Sequence, residues 1–527
     1  MTQIFLQFAI VLIIALAISF IVRIFKQPAI LGYILAGIAI SPFIIGSGIS
    51  TDTIKVFTEF GIAFLLFTVG LHLNPRVIKE IGFSSLGIGI LQIILTTVAG
   101  VSISLLLGFN FITSLFVGVG VAFSSTIVVM KLLSDENKVD SLSGKISTGV
   151  LIVQDIVAIL ILITLSTLTK GKSLMEIALG QVVYGVLALV IIVFLGFFIV
   201  PKIARSAAKS QELLFLFSIC WCFAVAALFS YIGFSLEIGA LIAGIILSVS
   251  EFSIDISSKV KPLRDFFLII FFIILGLNMQ LSSIGAVIIP AIILSLAVIL
   301  LKPLIIMIIM RSFHYTKRTN FLTGITLAQV SEFSLIILAL AITKGYVMGE
   351  ILSMLTLTTV ITIAISTYGI IYGDQIYKII APGLKPFETK RSLSERKERL
   401  KKDYEAILFG YNRIGFGILN SLQKIKKNYL VVDFNPETIS TLEKLKIPCL
   451  YGDISDPDLI EELPMKKAKL VVSTVPEFEA NYLLIDKIRK VNKNVVIIVR
   501  AHQISEALDI YKKGANYVLT QHFLGGM

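Results

Sequence analysis

The chain has 527 residues and a formal charge of +12; 56% of its residues are hydrophobic and only 15% are charged. A soluble surface needs about 25% charged residues, and here the charge is segregated: residues 1–378 hold 38 Asp, Glu, Lys and Arg, whereas residues 379–527 hold 42 in 149 positions. This excludes a soluble enzyme, a secreted scaffold and a disordered regulator, and predicts a membrane domain over 1–378, a basic linker over 379–402 and a soluble domain over 403–527.

A helix rising 1.5 Å per residue needs about 20 apolar residues to cross roughly 30 Å of hydrocarbon. Thirteen stretches read as spans by that measure, the tenth being the shortest at 14 residues. They are 4–22, 29–46, 54–71, 82–107, 111–133, 145–168 and 178–201, then 212–231, 234–250, 265–278, 284–310, 319–343 and 350–377. The first lacks a basic n-region and a small-residue cleavage site, so it reads as a retained span. Three cysteines, Cys220, Cys222 and Cys449, give no disulfide framework, and the Cys220–Cys222 pair around Trp221 reads as helix packing.

Thirteen spans put the termini on opposite sides. With the charged tail in the cytoplasm and the N-terminus outside, alternate loops carry sixteen basic residues on the cytoplasmic side and four outside. That is the positive-inside pattern of a multi-pass protein of the cell membrane. The net charge therefore follows the loops, and no nucleic-acid partner is expected.

Ionisable residues inside lipid are expensive and mark function by default. Asp155, Lys302 and Glu332 lie deep in the sixth, eleventh and twelfth spans, while Glu59 and Glu237 lie near span ends and read as snorkelling or paired groups. Counting 1.5 Å per residue places Asp155 about 15 Å, Lys302 about 12 Å, Glu332 about 20 Å and Ser125 about 12 Å into their helices. A carboxylate and an ammonium at matching depth can pair, so Asp155 and Lys302 are expected to do so.

The fifth span carries Ser124-Ser125-Thr126 and the twelfth Gln329-Val330-Ser331-Glu332 at mid-membrane. These spans hold equivalent places in triplets offset by seven, and so have opposite orientations. Paired interruptions of this kind surround the binding site of inverted-repeat transporters. Ser/Thr packing between helices is the plainer alternative.

The segments Gln27-Pro28-Ala29-Ile30-Leu31-Gly32-Tyr33 and Gly61-Ile62-Ala63-Phe64-Leu65-Leu66-Phe67-Thr68-Val69-Gly70-Leu71 resemble the opening helices of Kef-type monovalent cation:proton antiporters. Phe123-Ser124-Ser125-Thr126, Val153-Gln154-Asp155-Ile156 and Ser331-Glu332-Phe333 match that family's motifs in order. The resemblance implies an inverted-repeat fold with crossed discontinuous helices, and a homodimer in the lipid membrane. It makes Asp155 the carboxylate that alternately holds a cation or protons, and Lys302 its basic counterpart. Gln154, Ser125, Thr126 and Glu332 complete the implied ion and proton site. Gln154 replaces the second acid of sodium-exporting relatives, which favours K+ over Na+ through a neutral amide ligand and favours one proton per cation. His72 departs from the acid that many relatives carry, and the 251–262 stretch resembles the Kef regulatory loop only in placement.

Beyond the linker, strands are predicted near 405–409, 429–433, 448–451, 469–474, 494–499 and 516–519, with helices between them, which reads as a doubly wound parallel sheet. Gly410-Tyr411-Asn412-Arg413-Ile414-Gly415 follows the first strand and opens a helix. Asn412 stands where a dinucleotide fingerprint has glycine, which weakens it. This stretch resembles the nucleotide-binding module of the RCK or KTN type. By that resemblance Gly410, Asn412, Arg413, Gly415, Asp433 and Asp453 line a pocket for an adenine nucleotide (AMP or NAD(H)) that acts as a regulator, with no catalytic cofactor.

The function expected is thus a cation:proton antiporter under nucleotide control, not an enzyme. A nucleotide-gated channel would need a carbonyl filter such as a TVGYG-like loop, and none occurs in the sequence. A membrane-tethered oxidoreductase would leave thirteen spans with buried charges unexplained.

Overall fold

Apolar runs fold here as helices because a backbone in hydrocarbon must satisfy its polar groups within its own segment. The computed structural model describes residues 2–44, 51–72, 82–136, 138–139, 141–167, 192, 194–196, 198–232, 236–277, 279, 284–387, 403–411, 414–425, 427–434, 436–452, 454, 457–475, 477–501 and 503–520. In chain order the helices are α1 (Thr2–Ile24), α2 (Ala29–Ile44), α3 (Thr51–His72), α4 (Gly82–Leu106), α5 (Phe111–Ala122), α6 (Thr126–Asp135) and α7 (Leu142–Thr167). Then come α8 (Val200–Ala207), α9 (Gln211–Tyr231), α10 (Leu236–Ser248), α11 (Ser253–Leu277), α12 (Ile284–Ser312), α13 (Lys317–Thr326), α14 (Glu332–Thr343), α15 (Glu350–Ile371) and α16 (Gly373–Ile380). Stretches within Ser84–Leu106, Leu142–Leu165, Gln211–Tyr231, Val287–Ser312 and Glu350–Ile371 are uninterrupted, and long and apolar enough to cross a membrane by length and composition. Residues 178–191 of the seventh expected span and 388–402 of the linker lie outside the described residues.

Two boundaries differ from expectation: the thirteenth span reads as 350–377, yet α15 ends at Ile371 and α16 begins at Gly373. The tenth span reads as 265–278 in sequence, yet α11 begins at Ser253 and runs through Pro262. Asp255, Lys259, Lys261 and Arg264 interrupt the apolar run without interrupting the helix. Asp255 in the first turn suits the positive end of the helix dipole. The 251–262 stretch is therefore mostly helix rather than loop.

The described residues divide into two compact units: Met1–Leu132, Ser147–Ile305 and Ile325–Ile371 form one, and Leu133–Ile146, Ile306–Gly324 and Tyr372–Met527 the other. In the first, two helix pairs cross at glycines. A Cβ on Gly37 of α2 would strike Ile273 O and Gly276 of α11, and one on Gly244 of α10 would strike Phe67 O and Gly70 of α3. Only small residues let backbones approach that closely. An offset of seven spans maps α2 onto α10 and α3 onto α11, so the two contacts are counterparts. The inverted repeat expected from the polar interruptions is thus also present in the packing.

The second unit contains a six-stranded sheet of β1 (Ala406–Phe409), β2 (Tyr429–Asp433), β3 (Cys449–Tyr451), β4 (Leu470–Ser473), β5 (Val496–Ala501) and β6 (Tyr517–Thr520), in the order β3-β2-β1-β4-β5-β6. Every pairing is parallel, and Ile407 stands between Leu430 and Val471. Side chains alternate across a strand, so Ile407 and Phe409 pack with Leu484 and Ile497, while Leu408 packs with Leu419 and Leu442 on the other face. In this unit Asp374 also meets Arg318 at 2.8 Å and Lys138 at 3.1 Å.

Candidate functional site: two crossing helix breaks

Two helices break in mid-course, and serine chemistry explains where. Phe123 ends α5 in extended backbone, and Ser125 Oγ accepts the Val128 N–H at 3.2 Å, capping α6. Ser331, also extended, accepts the Phe333 N–H at 3.1 Å and caps α14. A serine oxygen at such a position meets an N–H that the helix leaves unpaired. The interruptions at Ser124-Ser125-Thr126 and Gln329 to Glu332 are therefore helix starts inside apolar sequence.

The breaks cross and bond to one another. Ser124 Oγ donates to Leu327 O at 2.9 Å, Gln329 Nε2 to Ser125 O at 3.4 Å, and Ser334 Oγ to Gly120 O at 2.5 Å. Backbone groups released by each break find partners on neighbouring helices. Ser124 N–H goes to Gln154 Oε1 at 2.7 Å and Val330 N–H to Thr362 Oγ1 at 3.2 Å. Lys302 Nζ donates to Val121 O at 3.3 Å, Phe123 O at 3.0 Å and Gln329 O at 2.9 Å.

One expectation is corrected by this geometry. Lys302 is not paired with Asp155: its ammonium donates to three carbonyls at the two breaks, acceptors that the interrupted helices leave without their regular partners. Gln154 also holds the break, and its amide oxygen already has one partner. That oxygen takes the Ser124 N–H, and Gln154 Nε2 donates to Gln92 Oε1 at 2.6 Å.

Asp155, Thr126, Ser125 and Glu332 are brought together. Thr126 Oγ1, at the first position of α6, lies 3.1 Å from each Asp155 carboxylate oxygen. Glu332, at the first position of α14, lies beside Ser125, Ser331 and the Ile127 backbone. Two half-helix N-termini, each carrying partial positive charge, thus converge on the Glu332 carboxylate. Asp155 is close enough to Glu332 for their charges to interact. Glu332, Lys302, Gln154 and Ser125 are buried, whereas Asp155 and Thr126 keep partial access. A carboxylate with a hydroxyl oxygen beside it suits a monovalent cation or a proton. Among the described residues no three His, Cys, Asp or Glu side chains cluster as a multi-ligand metal site.

Residues 9–371 match the family model described as the transmembrane sodium/hydrogen exchanger. The chain belongs to the sodium/hydrogen exchanger family. Residues 406–521 of the exchanger match the TrkA-N domain. It is 26% identical to the putative K(+) efflux antiporter KefB of Alkalimonas amylolytica, over 96% of this chain and 78% of that protein. It is 27% identical to the putative cation/proton antiporter YbaL of Escherichia coli (strain K12), over 96% and 93% of the two chains. Among solved structures, the sodium proton antiporter MjNhaP1 from Methanocaldococcus jannaschii is similar to it with a TM-score of 0.48 and 15% identity, over 71% of this chain and 98% of that one. The exchanger is a membrane cation/proton antiporter with a TrkA-N regulatory domain.

The TrkA-N part of the exchanger places the expected nucleotide frame at the sheet's C-terminal edge, where open parallel sheets bind ligands. Gly410 has φ +84, which favours glycine, and its N–H bonds Val432 O. A Cβ on Gly415 would run into Gly410 O, so that site also needs glycine. Asp433 Oδ2 accepts the Tyr411 N–H at 2.8 Å, and Thr474 Oγ1 donates to Gly410 O at 3.1 Å. Asn412, Arg413 and Asp453 lie outside the described residues.

The sequence reading missed Gln92, Thr362 and Ser366. Ser366 Oγ donates to Gln329 Oε1 at 2.8 Å, and all three residues are buried. A lone amide or hydroxyl in an apolar run was the available signal, and it gave no partner.

Proposed function

We propose that the exchanger moves a monovalent cation, K+ in preference to Na+, against protons by alternating access at Asp155. The observation that carries this reading is the placement of Asp155: a half-buried residue whose carboxylate meets Thr126 where two broken helices cross. A carboxylate is neutral with a proton and neutralised by a monovalent cation, so the two compete for one site. Thr126 and Ser125 supply neutral oxygens, and Glu332 fixes the half-helix ends around them. Crossed breaks give a site that can open to either side by small movements of the half-helices. Asp155 is the only acid of the Gln154-Asp155 pair, which supports one proton per cation.

The TrkA-N domain, on this reading, faces the cytoplasm, binds an adenine nucleotide (AMP or NAD(H)) over Gly410, Gly415 and Asp433, and sets the exchange rate. Asn412, Arg413 and Asp453 belong to the same proposed pocket by sequence. The working form is a homodimer in the cell membrane.

The test is proton movement in proteoliposomes driven by KCl or NaCl gradients, for the wild type and for Asp155→Asn. An amide cannot take or release a proton at this pH, so the variant should insert normally and exchange nothing. Cation-driven proton flux persisting in a folded Asp155→Asn protein would remove Asp155 from the role.

A further inference from the structure

We propose that Gln92 of α4 is a positioning residue for the cation site, acting through Gln154 on the break between α5 and α6. It rests on the reading that this break and Asp155 form the ion site. Gln92 is completely buried, in a helix otherwise built from apolar and small residues. Its Nε2 donates to Ala122 O at 2.9 Å and to Thr96 Oγ1 at 3.1 Å, and its Oε1 accepts from Gln154 Nε2 at 2.6 Å. Gln154 Oε1 in turn accepts the Ser124 N–H at 2.7 Å. The chain Ala122 O, Gln92, Gln154, Ser124 N–H therefore runs from one side of the break to the other through two side-chain amides.

The direction of this chain is fixed at both ends. Ala122 O can only accept and Ser124 N–H can only donate. Gln154 must then present its oxygen to Ser124, which leaves its NH2 facing Gln92. Gln92 must answer with its oxygen, which leaves its own NH2 facing Ala122. Reversing either amide sets donor against donor or acceptor against acceptor in a dry interior, at the cost of unpaired buried groups. So Gln92 dictates which way the Gln154 amide points, although Gln92 itself touches no site oxygen.

The position has a counterpart across the inverted repeat. Span four maps onto span eleven, and what Gln92 does for the first break Lys302 does for the second, by donating to Gln329 O. Each break is thus held by a donor from the helix preceding it and by an acceptor from the helix following it: Gln92 and Gln154 for the first, Lys302 and Thr362 for the second. Lys302 reaches the first break as well, but on Val121 O and Phe123 O, leaving Ala122 O to Gln92. Ser125 and Thr126 directly follow Ser124, so a shift of the bonded segment displaces the Thr126 hydroxyl that meets Asp155.

The experiment is a two-site cycle in proteoliposomes with KCl as the probe: wild type, Gln92→Met, Gln154→Met and the double variant. Methionine keeps the length and removes both hydrogen-bonding functions. Losing one buried hydrogen bond to the break should raise KM for K+ about tenfold in each single variant, with kcat changed less. The double variant should be no worse than the poorer single one, since the two residues act as one chain. Gln92→Asn, whose shorter amide can reach only one neighbour, should fall between wild type and Gln92→Met and serves if Gln92→Met does not fold. An unchanged KM in a folded Gln92 variant, or additive effects in the double variant, would overturn the proposal and leave Gln92 a packing residue. The role of Asp155 is judged separately by Asp155→Asn, which contains no change at Gln92.

Discussion

Thr126 Oγ1 lies equidistant, at 3.1 Å, from the two carboxylate oxygens of Asp155. A hydroxyl has one proton to donate and lone pairs to accept a metal ion, so it can serve Asp155 when empty and share a cation when filled. Thr126→Val keeps the shape and deletes both abilities. A hydrogen bond to a charged group is worth about 1.5–3 kcal/mol, so KM for the cation should rise at least tenfold. Thr126→Ser should stay within about threefold of wild type, since it retains the oxygen. Cation titrations of proton flux decide it; a Thr126→Val protein with wild-type KM would show that the hydroxyl plays no part.

Lys302 offers three hydrogens to three carbonyls contributed by two different breaks. Its removal strands buried acceptors, each at a cost of about 1–3 kcal/mol. Lys302→Met should therefore lower the thermal unfolding midpoint by several degrees, and by the same amount in the wild-type and Asp155→Asn backgrounds. Independent groups add in this way. If Asp155→Asn instead largely cancels the loss, the two residues are an ion pair in solution and the geometry described here is not the resting one.

How much of this was readable in advance depends on what kind of partner each residue has. The sheet strands were legible to within a residue or two, because short apolar runs such as Ala406–Phe409 and Leu470–Ser473 stand out from more polar and charged sequence around them. The breaks were legible too, since Ser125 and Ser331 are helix-start residues in places where lipid demands continuous helix. Depth along the membrane normal placed Asp155, Lys302 and Glu332 in one slab, but depth does not say which neighbour a side chain meets. Lys302 and Gln154 bond backbone atoms that become needy only once the helices break. Gln92 fulfils the same need, and its backbone partner, Ala122 O, carries no side-chain signature at all.

Asp374 sits between Arg318 and Lys138. Partial burial opposes its ionisation, but the charges of Arg318 and then Lys138 outweigh that and hold its carboxyl below the ordinary value of 3.8. A depressed native value means stability that is present above 3.8 and is lost as pH falls through the native value. With a side chain 39% exposed, solvent screening reduces the gain to about 1 kcal/mol or less. Asp374→Asn should lower the unfolding midpoint by a few degrees, equally from pH 8 down to pH 5, and the gap should shrink in high salt. A gap that widens with salt or vanishes between pH 8 and pH 5 would contradict this account.

The remaining prediction separates the fold of the TrkA-N domain from its ligand. Asp433 is buried and holds the Tyr411 N–H through Oδ2, which ties the turn after β1 to the end of β2. Its removal would confound structure with binding, so the informative change is Asp433→Asn. Asparagine keeps an acceptor for the Tyr411 N–H and loses only the negative charge. An acid at the end of the second strand of such a sheet accepts from ribose hydroxyls, and a charged acceptor exceeds a neutral one by about 1 kcal/mol or more. Asp433→Asn should then leave nucleotide-free exchange at the wild-type rate and raise the concentration of AMP or NADH needed for half-maximal effect about tenfold. Titrating each nucleotide against exchange rate, with the unfolding midpoint measured in parallel, gives both readings. An unchanged midpoint with an unchanged nucleotide response would place the ligand elsewhere than Asp433. A lost response together with a fallen midpoint would mean that the charge supports the turn itself.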